Sequence, residues 1–248
     1  MIRTTDPRRI LLVVALLAAA CVAVVFVALP AWPQDPGYHH FADTRTRLGI
    51  PNALNVLTNL AFTFVAVLAF RVRPRLAPGD RILPVRIFAL GLLLTSIGSA
   101  IYHAFPSDRT LVLDRAGMVV AFMALVAIVV GDYAGAAVTR TLVLAELAGI
   151  ASIAIWIFAH DLRLYGIVQG FPPLLLIVLP LFFRSRYTRG SLLAGVFVFY
   201  AIAKLFEKYD REIFDALLRT VSGHSLKHLA AAAASWLIVV WIARREVR

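Results

Sequence analysis

Residues 10–29 have the sequence ILLVVALLAAACVAVVFVAL, twenty consecutive apolar residues without a charge. About 20 such residues form an α-helix long enough to cross the hydrocarbon core of a bilayer. A cleaved signal peptide is the alternative, but its apolar region is usually only about 7–15 residues long. No small-residue cleavage motif follows the stretch before Pro30. We therefore expect a retained transmembrane helix.

The remainder of the chain contains further apolar stretches of similar length. They cover residues 53–70, 82–103, 111–130, 141–158, 165–183, 191–206 and 228–243. Of the 248 residues, 61% are hydrophobic and 16% charged, whereas a soluble domain is typically about half apolar and a quarter charged. A bilayer supplies the apolar exterior that this composition requires. We therefore predict an all-α polytopic membrane protein of about eight transmembrane helices, the sixth kinked at Pro172, Pro173 and Pro180.

The 25 Lys and Arg residues give the chain a formal net charge of +11. They stand in short clusters between the apolar stretches, for example Arg71, Arg73 and Arg75, and such clusters encode membrane topology. If the N-terminus is cytoplasmic, more than half of them fall on the cytoplasmic side. We therefore expect both termini in the cytoplasm and no nucleic-acid partner. The single cysteine, Cys21, excludes an intrachain disulfide.

This topology gathers the ionisable residues at one level. It places on the outer side all six histidines, His39, His40, His103, His160, His224 and His228, and the carboxylates Asp43, Asp108, Asp114, Asp161 and Asp210. Ionisable groups close to the hydrocarbon core are costly, so their accumulation indicates a functional site.

Five of the outer residues form a pattern that is typical of metal chemistry. Ser99 and His103 are four residues apart and share a helix face, as do His224 and His228, while Asp114 lies near the start of the next stretch. Three histidines suffice for a catalytic zinc with a fourth position open to water. Such a metal makes water a nucleophile at neutral pH. We assign Asp114 the role of proton acceptor and Ser99 that of hydrogen-bond donor to the water or the oxyanion.

Each of these residues, taken alone, also has a simpler explanation. Two histidines at a spacing of four arise often by chance, Ser99 could bond to a carbonyl of its own helix, and Asp114 could be a carboxylate favoured by the helix dipole. His39, His40 and His160 are typical of residues at the membrane interface. Only the combination favours a metal site.

The pattern resembles the CREST superfamily of seven-helix membrane hydrolases, and most closely its alkaline ceramidase family, which includes bacterial members. The matching motifs are Ser99-x3-His103, Asp114 eleven residues after that histidine, and His224-x3-His228 at the start of the last helix. Residues 50–59, IPNALNVLTN, also resemble the start of that family's first core helix. The resemblance covers residues 38–243. It implies an extra N-terminal transmembrane helix within residues 1–31, followed by a seven-helix hydrolase domain over residues 32–248 in a bacterial inner membrane.

The resemblance further implies zinc held by His103, His224 and His228, with Asp114 and Ser99 as catalytic residues facing the periplasm. The implied substrate is a membrane lipid such as ceramide, whose amide is hydrolysed to a fatty acid and a long-chain amine. The eukaryotic relatives also bind calcium through a Trp-Cys-Glu segment before the first core helix. Residues 39–45, HHFADTR, and Asn52 depart from that pattern, so we do not expect the calcium site.

Two other functions stay open. A receptor or sensor of the same fold would keep zinc for structure alone. A transporter would need ionisable residues at mid-membrane and broken helices in both halves, and only the proline-rich sixth stretch resembles this. Residues 207–221 alternate charged and apolar side chains, which predicts either an interfacial helix that gates lateral lipid access or a surface connector.

Overall fold

A computed structural model describes residues 6–248, apart from the side chain of residue 136, and forms ten α-helices within them. In chain order these are α1 Pro7–Ala28, α2 Ala53–Leu57, α3 Leu60–Arg71, α4 Leu83–Ala104, α5 Asp108–Ala134, α6 Val138–Ala159, α7 Arg163–Phe182, α8 Leu192–Lys208, α9 Asp210–Ala216 and α10 Gly223–Arg244. Short 3-10 helices occupy Pro36–His39 and Gly135–Ala137. Each of the predicted apolar stretches coincides with one long helix, or with α2 and α3 together.

The helices carry the lengths and surfaces of a membrane protein. Within the described part of the chain, seven helical segments are long and apolar enough to cross a bilayer, counting α2 and α3 as one. The predicted seventh span, α8, has 17 residues, the lower limit for a spanning helix. Large apolar side chains point outward, including Val27, Phe158 and Leu181, which are 89%, 84% and 61% exposed. The predicted fold class, an all-α polytopic membrane protein, is confirmed.

Several boundaries differ from the sequence prediction because polar caps, and not hydropathy, decide where a helix begins. The last helix begins at Gly223, five residues before its apolar stretch but in agreement with the motif placed at its start, because the Ser222 hydroxyl accepts a hydrogen bond from the amide of Ser225. In the same way Ser107 caps α5 through the amide of Thr110. The early start places both histidines of the last helix within its first two turns.

Two further segments differ in shape from what the sequence suggested, while the predicted kink of a third, α7, stays a prediction. The first core span is divided into α2 and α3 by a turn at Thr58 and Asn59. The proline-rich α7 runs as one continuous helix through its prolines. Residues 207–221 do not form one interfacial helix: residues 207 and 208 end α8, α9 covers only Asp210–Ala216, and a turn follows.

Helices α4 and α5 approach each other closely through glycines. A β-carbon on Gly98 would overlap the carbonyl oxygen of Leu113, and one on Gly117 would overlap the amide nitrogen of Thr95. Small residues at helix crossings are how membrane helices obtain close backbone packing. The crossing at Gly98 lies beside Ser99 on α4 and Asp114 on α5, so it sets the distance between the two predicted catalytic residues.

The opposite end of the bundle is held by a buried ionic cluster. Arg245, which follows α10, donates to the carboxylate of Asp132 near the end of α5, and each residue is less than 5% exposed. The Arg245 guanidinium also lies over the Tyr187 ring, 4.1 Å from its centroid. Arg186 binds Asp80 at 2.6 Å. The cluster therefore ties the C-terminal end of the chain to α5 and to the loops before α4 and α8.

The N-terminal helix is attached to the core through the connection between α6 and α7. The Trp32 amide donates to Asp161 at 3.2 Å, the Leu162 amide donates to the Trp32 carbonyl at 2.7 Å, and Arg163 donates to the Leu29 carbonyl at 2.9 Å. Hydrogen bonds from the Arg163 side chain, and then from its amide and that of Trp32, lower the pKa of Asp161 to about 2. These contacts fix the chain that follows α1 against the start of α7.

We predict that Gly98→Ala destabilises the protein by at least the ~1–3 kcal/mol typical of an overpacked interior, because the Leu113 carbonyl belongs to a helix backbone and cannot move aside. Thermal unfolding in detergent measures the effect. Gly170→Ala on α7 is the matched control, since no atom lies within 4 Å of its β-carbon position. Equal melting temperatures for the two variants would contradict the close packing of α4 on α5.

Candidate metal centre

Three of the six histidines meet at one end of the bundle. His103 lies in the last turn of α4, and His224 and His228 lie in the first two turns of α10. All three are buried, with exposed fractions of 1%, 6% and 3%. One ring nitrogen of each lies within 4.8 Å of the others. The structure therefore forms a buried three-histidine group that could hold a metal ion.

The contact between two of these rings suits a shared cation. The Nε2 atoms of His103 and His224 are 3.2 Å apart. Two imidazole nitrogens at this distance either share one proton or present both lone pairs to a cation. Ligand nitrogens bound tetrahedrally to zinc at about 2.0–2.1 Å are about 3.3 Å apart. Imidazole donors suit zinc and also copper, iron and nickel, so the group fits zinc without selecting it alone.

A threonine outside the predicted site orients the third histidine. The Thr58 hydroxyl donates to the Leu54 carbonyl at 2.7 Å and lies 2.9 Å from Nδ1 of His228. Because its proton is used by the carbonyl, the hydroxyl oxygen accepts from Nδ1–H of the histidine. That tautomer leaves Nε2 unprotonated and available to a metal. Metal-binding histidines commonly have such a partner on the second ring nitrogen.

Two asparagines near α2 connect the two histidine helices. Asn52 donates to the His103 carbonyl at 2.7 Å and adopts a left-handed backbone with φ of 47°, which asparagine tolerates better than most residues. The side-chain oxygen of Asn55 accepts from Ser225 at 2.7 Å and from Ser222 at 3.2 Å. The segment IPNALNVLTN thus fixes the end of α4 and the start of α10. Sequence reasoning noted this segment but assigned it no role.

Asp210 and Phe41 complete the surroundings of the histidines. Asp210 accepts from the His224 amide at 2.7 Å and from the Ala42 amide at 2.9 Å. The ring of Phe41 lies 4.7 Å from that of His103 and 5.1 Å from that of His224, centroid to centroid. Phe41 is 5% exposed, so it covers the histidines with an apolar face. Neither residue could be found from sequence spacing, because both contacts join distant segments.

The predicted catalytic residues lie beside the histidines. Ser99 and Asp114 are 2% and 7% exposed, and their side chains lie close enough to interact. Both line the same cavity as His228. The structure thus brings together all five residues of the predicted site, and their roles in catalysis remain a prediction.

The other three histidines lie outside this group. His39 contacts the Tyr102 hydroxyl at 3.1 Å through Nδ1 and Asp108 at 3.2 Å through Nε2. His40 and His160 are exposed, and His160 ends α6 in a left-handed conformation.

In the segment compared with the calcium site, the Asp43 carboxylate is bound by the Arg45 guanidinium through two contacts of 2.7 Å. Burial raises the pKa of Asp43, but the hydrogen bonds from Arg45 outweigh burial and hold that pKa below its usual value. The carboxylate is therefore ionised and already paired with a cation of its own chain.

A cavity of about 340 Å³ extends from the site into the bundle. Its polar end includes Ser99, Asp114 and His228, and its remaining wall is mostly apolar, with Phe88, Leu92, Phe122, Leu125, Leu176 and Ile238 among its residues. Both α7 and α8 contribute to the wall, yet within the described residues these two helices have almost no contact with each other. The cavity has the size and lining of a small-molecule site.

The chain matches no protein-family model, no curated protein and no solved structure. The chemistry of the site is therefore judged from its own residues.

We predict about one tightly bound metal ion per chain, which His224→Ala abolishes because two imidazoles no longer complete the ligand set. Elemental analysis of protein purified in detergent without chelator measures this. The control is His160→Ala, which removes an exposed histidine and should leave the metal content unchanged. Equal metal content in the two variants would exclude the three-histidine site.

We predict that Thr58→Val lowers metal affinity about 10–100-fold, the usual effect of losing a hydrogen-bond partner of a ligand histidine. Valine preserves the shape of the side chain, so the fold should persist. Competition with a coloured chelator measures the affinity. Thr141→Val is the control, because that hydroxyl bonds only to the Ala137 carbonyl of its own helix turn. If both variants bound metal as the wild type does, Thr58 would not orient His228.

Proposed function

We propose that the protein is a zinc-dependent membrane hydrolase that cleaves the amide bond of ceramide or a related N-acyl lipid to a fatty acid and a long-chain amine. One observation carries the proposal. A buried three-histidine group lies beside a carboxylate and a hydroxyl at the polar end of a long apolar cavity. Such an arrangement suits a substrate with a reactive polar group attached to a hydrocarbon chain.

The histidines would hold the metal through His103, His224 and His228, with the last of them oriented by Thr58. When bound, the metal supplies Lewis acidity, which polarises a carbonyl and makes water a nucleophile at neutral pH. The ring of Phe41 limits the access of bulk water from one side, so the charges within the site are weakly screened.

In this mechanism Asp114 transfers the proton and Ser99 assists it by hydrogen bonding. As water attacks the amide carbon, the Asp114 carboxylate accepts one proton from it, and the carbon–nitrogen bond breaks with transfer of that proton to the departing nitrogen. The products are a carboxylic acid and an amine, so the atoms of one water molecule are fully used. The Ser99 hydroxyl, which lies close to Asp114, can orient the carboxylate or donate to the oxygen that becomes negatively charged.

The surroundings of the site suit a lipid that stays in the bilayer. Removal of an acyl chain from the membrane costs about 0.8 kcal/mol per methylene group, so the enzyme has to reach its substrate within the membrane. The apolar cavity provides space for the chain, and the sparse contact between α7 and α8, which both line it, would allow lateral access. The distribution of Lys and Arg supports cytoplasmic termini and an active site on the periplasmic side of a bacterial inner membrane.

A receptor or sensor with structural zinc is the second candidate. The specific observation in its favour is that the histidines and their hydrogen-bond partners join α2, α4 and α10, so metal binding would also stabilise the fold. A receptor needs the histidines but not a proton acceptor, which makes Asp114 the residue that separates the two functions.

We predict that Asp114→Asn retains the metal and folds, yet lowers turnover of an N-acyl lipid about 10²–10⁴-fold, because the amide cannot accept the proton from water. Release of fatty acid from micellar substrate measures turnover. Asp108→Asn is the control, since that carboxylate lies on the same helix and is 70% exposed. Wild-type turnover in Asp114→Asn would remove Asp114 from the mechanism. A zinc-loaded wild type that hydrolyses no N-acyl lipid would contradict the proposed function.

A further inference from the structure

Arg115, the residue after Asp114, is a buried cation whose Nη1 atom has no hydrogen-bonding partner among the described residues. It is 6% exposed and lines the cavity. Its Nη1 atom is buried and makes no hydrogen bond, and none of the ion pairs formed within residues 6–248 includes its guanidinium. A buried guanidinium normally has its donors satisfied, because an unpaired buried charge is strongly unfavourable. The Arg115 side chain is therefore suited to bind an anionic ligand in the cavity.

Aromatic rings hold the guanidinium in place. Its central carbon lies 4.2 Å from the ring centroid of Trp156, 4.9 Å from that of Tyr165 and 5.4 Å from that of Tyr38. Cation–π contacts of this kind fix the position of the charge, but they leave the five N–H donors of arginine free. The guanidinium is thus positioned in advance for an acceptor that the protein does not supply.

The other cations of the cavity differ in this respect. Lys204 and Lys227 each lie 2.9 Å from an oxygen of Glu207, which also accepts from the Tyr38 hydroxyl at 3.2 Å. Both ammonium groups are therefore paired within the protein. The unpaired positive charge at the polar end of the cavity belongs to Arg115.

We propose that Arg115 binds the carboxylate of an acidic lipid whose hydrocarbon chain occupies the apolar cavity. A planar guanidinium binds a carboxylate through two parallel hydrogen bonds, and a low-dielectric site strengthens such a pair. The inference rests on the proposed function for its chemical context and deepens it. The carboxylate is either the head group of an N-acyl amino acid substrate or the end of the fatty acid that hydrolysis releases.

Equilibrium binding tests the inference without catalysis. Radiolabelled palmitate is bound to the full-length protein in micelles and displaced with palmitate or with methyl palmitate, which has the same chain but no charge. We expect the wild type to prefer the acid by about tenfold or more, as for a hydrogen-bonded charge pair. Arg115→Gln should abolish the preference, and Arg115→Lys should keep part of it. Lys204→Gln is the control, because it removes a cavity charge that is already paired, and the preference should persist.

Equal affinity of the wild type for acid and ester, or an unchanged preference in Arg115→Gln, would overturn the inference. If Arg115→Gln failed to fold, as judged by size-exclusion chromatography, the comparison of acid with ester on the wild type and on Arg115→Lys would still decide it. Loss of the preference in Lys204→Gln as well would also overturn it, since the effect would then reflect net charge alone.

Kinetics distinguish the two sources of the carboxylate. N-palmitoylglycine and N-palmitoylethanolamine share the acyl chain and the amide but differ in head-group charge. If Arg115 binds the substrate, kcat/KM is higher for the glycine conjugate and Arg115→Gln loses that advantage. If it binds the product, both substrates react alike, and palmitate inhibits the wild type more strongly than Arg115→Gln. An acid preference in binding, dependent on Arg115, in a protein that hydrolyses neither substrate would refute the hydrolase and leave this inference standing.

Discussion

The convergence of three buried imidazoles at the end of a membrane bundle is the constraint on which the rest of the structure depends. Neutral imidazole rings whose nitrogen lone pairs face each other repel, and a cation bound between them makes this arrangement favourable. Nearby side chains support this convergence. Thr58 sets the tautomer of His228, and Asn52 and Asn55 hold the helix ends from which the rings project. Loss of any of these polar contacts would leave buried donors or acceptors unsatisfied, which is costly in an apolar surrounding.

In the proposed hydrolase, the polar end and the apolar cavity serve one purpose. A membrane-embedded hydrolase has to bring water, a proton acceptor and a hydrocarbon chain together, although these prefer opposite environments. The bundle separates them along its axis, with the histidines and Asp114 near one end and apolar side chains further in. At the other end, the pairing of Asp132 with Arg245 ties helices together away from the site. The tight crossing of α4 and α5 at Gly98 then keeps Ser99 near Asp114.

Hydropathy and spacing predicted the membrane-spanning stretches, and they placed His103, His224 and His228 at one level, because both signals are local to a helix. Hydropathy alone put the start of the last apolar stretch at residue 228, whereas the cap at Ser222 starts α10 at Gly223, as the histidine motif indicated. Hydropathy and spacing missed the role of Thr58, whose contact with His228 joins residues far apart in the chain. Several polar residues within one apolar stretch, residues 50–59, were the available signal for that network.

X-ray absorption at the zinc edge, on the zinc-loaded full chain in detergent, tests the central claim most directly. The account predicts a first shell of about four nitrogen or oxygen neighbours near 2.0–2.1 Å, with the outer-shell scattering of three imidazole rings. A spectrum without imidazole scattering, or a chain that takes up no zinc at all, would contradict it.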